Sequence, residues 1–144
     1  MQRPIYHRYV QTRQATERLA APLSDEDQVL QSMPFTSPSK WHRAHTTWFF
    51  EAFILEPAGV PPFDPRFAFL FNSYYDAMCD RVARHKRGLL SRPSVPEVAD
   101  YRRVVDERIG ALLDRVDDRQ FEVLAPLVEL GIQHEQQHQE LLLT

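Results

Sequence analysis

The chain has 144 residues, 43% of them hydrophobic and 26% charged, with a formal net charge of -3. That is one domain's worth of sequence with an ordinary globular core, and the mild acidic balance argues against a nucleic-acid partner. The single cysteine, Cys79, rules out an internal disulfide, no apolar run is long enough to span a bilayer, and the first residues carry no apolar signal core, so a cytoplasmic setting is expected.

From about Tyr6 to Ala20, Tyr9, Val10, Thr12, Ala15 and Leu19 recur among Arg and Gln, which predicts a first amphipathic helix closed by Pro22. Ser24-Asp-Glu-Asp27 predicts a capped short helix that ends before Pro34. Ser37-Pro38 predicts another start, with Ser37 as cap and Pro38 in the first turn. That helix runs to about Leu55 and places Trp41, Ala44, His45, Trp48, Phe49, Ala52 and Phe53 on one broad apolar face, with His42 off it. Pro57 to Pro65 is a loop. The aromatic-rich segment from Phe67 to Met78 is expected to enter a helix near Asn72, and a basic cluster from Arg81 to Arg87 follows, broken by Gly88. Ser94-Val-Pro-Glu97 caps a long helix whose buried stripe is Val98, Tyr101, Val104, Val105, Ile109, Leu112 and Leu113. Asp117-Asp118 ends it or caps the next element, and the last helix is expected to begin near Pro126. No stretch alternates with period two, so the prediction is an all-α fold, an antiparallel four-helix bundle spanning residues 1–144 as one domain.

The chemistry gathers in the last stretch. His134 and His138 stand four residues apart, about 40° around a helix, so they stack on one face and can hold one divalent metal ion. A bundle brings side chains from different helices to one interior point, which makes His45 the natural third partner. Three neutral imidazoles leave coordination positions open to water or substrate, the pattern of a catalytic rather than a closed structural metal. Each residue also has a plain structural explanation: His45 as a hydrogen-bonded core histidine, the pair as a solvated polar face. His134-Glu-Gln-Gln-His138 also matches HExxH, the zinc-protease motif in which Glu135 would be the general base, but nothing else in the sequence suggests a peptide cleft.

Four blocks, taken together and in order, carry a resemblance: Ser37-Pro-Ser-Lys-Trp-His-Arg-Ala-His-Thr-Thr-Trp-Phe-Phe-Glu51, Leu70-Phe-Asn-Ser-Tyr-Tyr75, Arg87-Gly-Leu-Leu-Ser-Arg-Pro93 and His134-Glu-Gln-Gln-His-Gln-Glu-Leu-Leu-Leu-Thr144. The chain resembles the N-terminal domain of the ergothioneine-biosynthesis sulfoxide synthases (hercynine oxygenases, EgtB), a domain of the wider DinB-like four-helix metal-binding fold. The resemblance implies a non-haem iron(II) centre on His45, His134 and His138, with nickel or zinc able to replace iron in a purified sample. It implies an O2-dependent reaction that joins a thiol, cysteine or γ-glutamylcysteine, to the imidazole of hercynine. Iron suits such a reaction because O2 needs a redox-active metal.

The resemblance further implies that Tyr74 or Tyr75 is an active-site proton donor, that Arg87 with Arg92 holds the thiol substrate's carboxylate, and that Gln137 hydrogen-bonds the bound imidazole or a water on it. Aromatic packing, a solvated basic loop and an exposed helix position are the respective structural alternatives. Trp41 and Trp48 offer faces to a trimethylammonium group, with core packing as the stronger reading of both. Members of that family carry a second domain, resembling formylglycine-generating enzymes, after this one. The chain is therefore expected to be either part of a longer enzyme, with that domain as its partner, or a single-domain relative. Two other functions remain open: a metal-dependent thiol transferase or isomerase of the same fold, and a non-catalytic helical bundle.

Overall fold

The computed structural model describes residues 3–73 and 82–144, and these are all-helical, with no strand among them. Helix α1 (Pro4–Ala20) opens with proline in its first turn and buries Tyr9, Thr12, Arg13, Thr16 and Ala20, the spacing of three and four that one helix face requires. Helix α2 (Asp25–Val29) has the expected reciprocal cap. The Asp27 amide donates to Ser24 Oγ at 3.1 Å and the Ser24 amide donates to Asp27 Oδ2 at 2.9 Å.

Helix α3 (Ser39–Phe50) corrects the predicted cap. Pro38 takes the cap position with no side-chain hydrogen bond, and the Ser37 hydroxyl instead accepts from Arg87 Nη1 at 2.8 Å. At Glu51–Leu55 the helix widens into a π-helical turn. There the buried Glu51 carboxylate accepts from the Tyr101 hydroxyl at 2.8 Å and the Phe63 amide at 2.9 Å.

Helix α4 (Phe67–Phe71) is short and ends at Asn72, where the backbone is extended, so the chain leaves a helix at the point where the sequence suggested that it enters one. Tyr74, Tyr75 and Cys79 lie outside the described residues. After a 3-10 turn (Arg84–Leu89), helix α5 (Val95–Arg115) starts where expected, the Glu97 amide donating to Ser94 Oγ at 3.2 Å. Helix α6 (Asp118–Leu143) starts at a reciprocal Asp117–Gln120 cap, eight residues before Pro126, which sits inside the helix. Proline removes the bond to the carbonyl of Glu122, but both residues are exposed and water can satisfy that group.

Helix α3 is the central element. It packs against α5 and α6, and α1 lies along α6. Every residue of α3 from Lys40 to Phe50 is buried, polar ones included. Burial of that kind is tolerable only where the polar groups find partners. Close approach of α3 to α6 depends on Gly131, because a Cβ there would run into the ring of fully buried Phe50. This contact sits one turn before His134 and sets the distance across which the histidines meet.

Candidate metal centre

Helix α3 supplies His45, and α6 supplies His134 and His138. One ring nitrogen from each lies within 4.8 Å of the others. The Nε2 atoms of His45 and His134 are 3.2 Å apart. Metal–imidazole bonds of about 2.0–2.1 Å put neighbouring donors roughly 3.0–3.4 Å apart, so His45 and His134 already have the spacing of two ligands on one cation, with His138 in reach as the third. His45 Nδ1 lies 2.5 Å from the Phe71 carbonyl, which can only accept. The proton is therefore on Nδ1, and Nε2 presents its lone pair. Phe71 ends α4, so that short helix holds the orientation of one ligand. Ring packing holds the rest: Trp41 stacks on His45 at 4.4 Å and 10°, and Phe49 on His134 at 4.5 Å and 28°.

The site keeps its imidazoles neutral, the form that binds metal. Burial pushes His45 well below its usual range, helped by neighbouring His138 and His134. Burial lowers His134 to about 4, and burial plus the proximity of His134 lowers His138 to about 2.

The motif's glutamate serves a different end. Glu135 is fully buried and, at about 100° per residue, sits roughly 60–100° around α6 from the two histidines, turned towards α1 and α5. It accepts from Arg13 Nη1 at 2.9 Å, Arg102 Nη2 at 2.9 Å and the Thr16 hydroxyl at 2.7 Å. Burial pushes its carboxyl up, but the two guanidinium groups and Thr16 more than offset this and hold it at about 2. A carboxylate so occupied has no role as a general base at the histidines. Instead it ties α6 to α1 and α5, next to the first ligand. The network runs on through Arg43, whose Nε donates to Glu17 at 2.7 Å and whose carbonyl accepts from Arg102 at 2.9 Å.

A cleft of about 350 Å³ opens beside His138, and Trp41, Arg84, Arg87 and Gln137 are among its lining residues. Arg87 is buried, with its guanidinium carbon 3.6 Å from the centre of the Trp41 ring. Gln137 is exposed on the cleft wall. Arg92 is placed elsewhere: its side chain is 80% exposed, donates to Glu97 at 3.1 Å and lines a separate groove with Phe67 and Phe69. Trp48 is packed in the core beside His45 and Phe53, and Trp41 is covered by His45 and Arg87.

Three buried polar residues are not apparent from the sequence pattern. His42 falls off the apolar face that the spacing predicts, yet it is buried with Nδ1 2.9 Å from Nδ1 of His138. Its spacing of three from His45 was the available signal. Arg13 and Arg102 fall on the buried stripes Tyr9–Thr12–Arg13–Thr16 and Val98–Tyr101–Arg102–Val105, where their charge hid their burial.

No helix among the described residues is long and apolar enough to cross a membrane. No curated protein matches the sequence. The model of the DinB superfamily matches residues 8–142. With the match spanning nearly the whole chain, and with an all-helical fold that brings three histidines together as a possible metal site, the chain belongs to the DinB superfamily.

Proposed function

We propose that this chain is the metal-binding domain of a non-haem iron(II), O2-dependent sulfoxide synthase that joins a thiol, cysteine or γ-glutamylcysteine, to hercynine. The observation that carries the reading is the coincidence of two features: three neutral histidines that can share one metal ion, and a cleft beside them furnished with a buried arginine. The scaffold we assign is the antiparallel four-helix bundle of the resembled domain. His45, His134 and His138 would hold iron, which when bound supplies redox chemistry with O2 that zinc lacks.

The chain's own residues do the rest. Arg87 is oriented before substrate arrives, by its bond to Ser37 and its seat on Trp41. It binds the carboxylate of the thiol substrate by a charge-assisted pair. Gln137, one residue before a ligand, hydrogen-bonds the imidazole of hercynine from the cleft wall. Tyr74 or Tyr75 relays a proton to the oxygen atom that leaves as water and recovers one from those released by the thiol S–H and the imidazole C–H, so that no net proton is consumed. Burial around His45 and His138 excludes bulk water and strengthens these polar contacts.

The test is anaerobic loading of the chain with iron(II), followed by O2-uptake measurement with hercynine and each thiol. Uptake that requires both substrates, and that falls in Arg87→Met through a raised KM for the thiol, supports the reading. The isolated domain is expected to bind metal even where it lacks turnover, so metal binding with no O2 uptake under any combination by the full-length gene product refutes the reading. Thiol transfer or isomerisation by the zinc-loaded chain would then identify the related metal-dependent enzymes of this fold instead.

A further inference from the structure

We infer that His42 is a positioning residue for the metal centre: it accepts a hydrogen bond from Nδ1–H of His138 and so fixes the tautomer in which His138 presents Nε2 to a cation. The inference rests on the three-histidine metal site and is independent of which reaction that site performs.

The geometry is specific. The two Nδ1 atoms are 2.9 Å apart, and the rings lie 5.1 Å apart at 53°. Two lone pairs cannot face each other at that distance, so one nitrogen carries the proton. If His42 donated, neutral His138 would carry its own proton on Nε2 and could not ligate through it. With Nδ1 facing His42, Nε2 is the nitrogen left for a cation. The productive arrangement is therefore His138 Nδ1–H donating to His42 Nδ1, with the proton of His42 on its own Nε2. Metal-bound histidines usually hand their second ring N–H to such an acceptor, which aligns the ring and raises its basicity.

His45 has the same arrangement, with the Phe71 carbonyl as acceptor. The two ligands thus draw their acceptors from different sources, a backbone carbonyl and a side chain, and only the second can be removed by substitution. His42 is held for this task. It is 5% exposed, lies one turn before His45 on α3, and packs edge-on against Trp41 at 5.3 Å.

Substitution at position 42 separates an acceptor from a filler. The Asn Oδ1 atom falls where His Nδ1 lies, so His42→Asn keeps an acceptor at the right place. His42→Gln moves its oxygen one atom outward, and His42→Phe keeps the ring shape with no acceptor. Cobalt(II) is the probe, because its visible absorption reports coordination number and geometry without any turnover. Affinity is read by titrating the purified full chain, and folding of each variant by far-ultraviolet circular dichroism.

The expected result is a cobalt(II) dissociation constant raised about 10–100-fold in His42→Phe and His42→Gln. An altered visible spectrum should accompany it, and both should return towards wild type in His42→Asn. Wild-type affinity and spectrum in a folded His42→Phe would overturn the inference. So would equal weakening in all three variants, which would mark His42 as mere packing. Failure of the wild-type chain to bind cobalt(II) at all would remove the metal site itself, and is distinguishable from both.

Discussion

Replacing Glu135 by glutamine tests whether the motif's carboxylate is a structural tie or a catalytic base. The side chain has no solvent exposure and accepts from two guanidinium groups and a hydroxyl, all within 2.9 Å. Glutamine matches its size but cannot balance two cations. Removing one partner of a buried ion pair costs about 3–5 kcal/mol, because the charge left behind stays desolvated. Arg13 keeps Asp106 and Arg102 keeps Glu17, both at the edge of solvent, so the loss should fall at about 3 kcal/mol. A domain of this kind has only about 5–15 kcal/mol in total, so the effect is large. Urea denaturation of the metal-free chain, followed by circular dichroism, measures it. Glu107→Gln, which breaks an exposed pair with Arg103 on α5, is the control and should barely move the midpoint. If Glu135→Gln lowers stability by less than about 1 kcal/mol, the tie described here is not one.

Three further expectations follow from the same contacts. Gly131→Ala drives a methyl into the Phe50 ring and should cost about 1–3 kcal/mol in the same denaturation assay, while the wild-type midpoint would show that α3 and α6 do not approach as closely as described. Acid should destabilise the metal-free chain: His42 and His134 sit at about 4 in the fold against an ordinary 6.5, so between those values the unfolded chain binds more protons and stability rises with pH. A denaturation midpoint at pH 4 equal to that at pH 7 would contradict the histidine assignments; Glu135 adds the same sign lower down, its contribution present above 4.5 and lost as pH falls through about 2, so an unchanged midpoint between pH 4.5 and pH 2 would contradict its assignment. A divalent ion at 100 times its dissociation constant should stabilise the fold by about 2.7 kcal/mol, a rise of roughly 5–10 °C in Tm, and the same addition should leave Tm unchanged in His45→Ala.

The parts legible in the sequence were those governed by neighbours along the chain. Ser24 with Asp27 and Ser94 with Glu97 declared their helix starts because a cap is satisfied within one turn. His134 and His138 declared a shared face because four residues make one turn. Pro126 misled for a physical reason: proline favours a first turn but is also tolerated further in where water can reach the freed carbonyl, and the true start lay in the Asp117–Gln120 cap. Ser37 was assigned to its own helix, whereas its hydroxyl serves Arg87, fifty residues away, which no local rule anticipates. The working role of His42 and the burial of Arg13 and Arg102 depend on which helices surround them. The apolar face of α3 suggested a helix with one wet side, but α5 and α6 close around it and leave none.

The most direct test of the metal centre is metal content per chain. The folded wild-type protein, loaded anaerobically with iron(II) and desalted, should retain one ion, and His45→Ala, His134→Ala and His138→Ala should each retain none while keeping helical circular dichroism. Wild-type metal content in all three variants would show that the ion, if bound, sits on other residues.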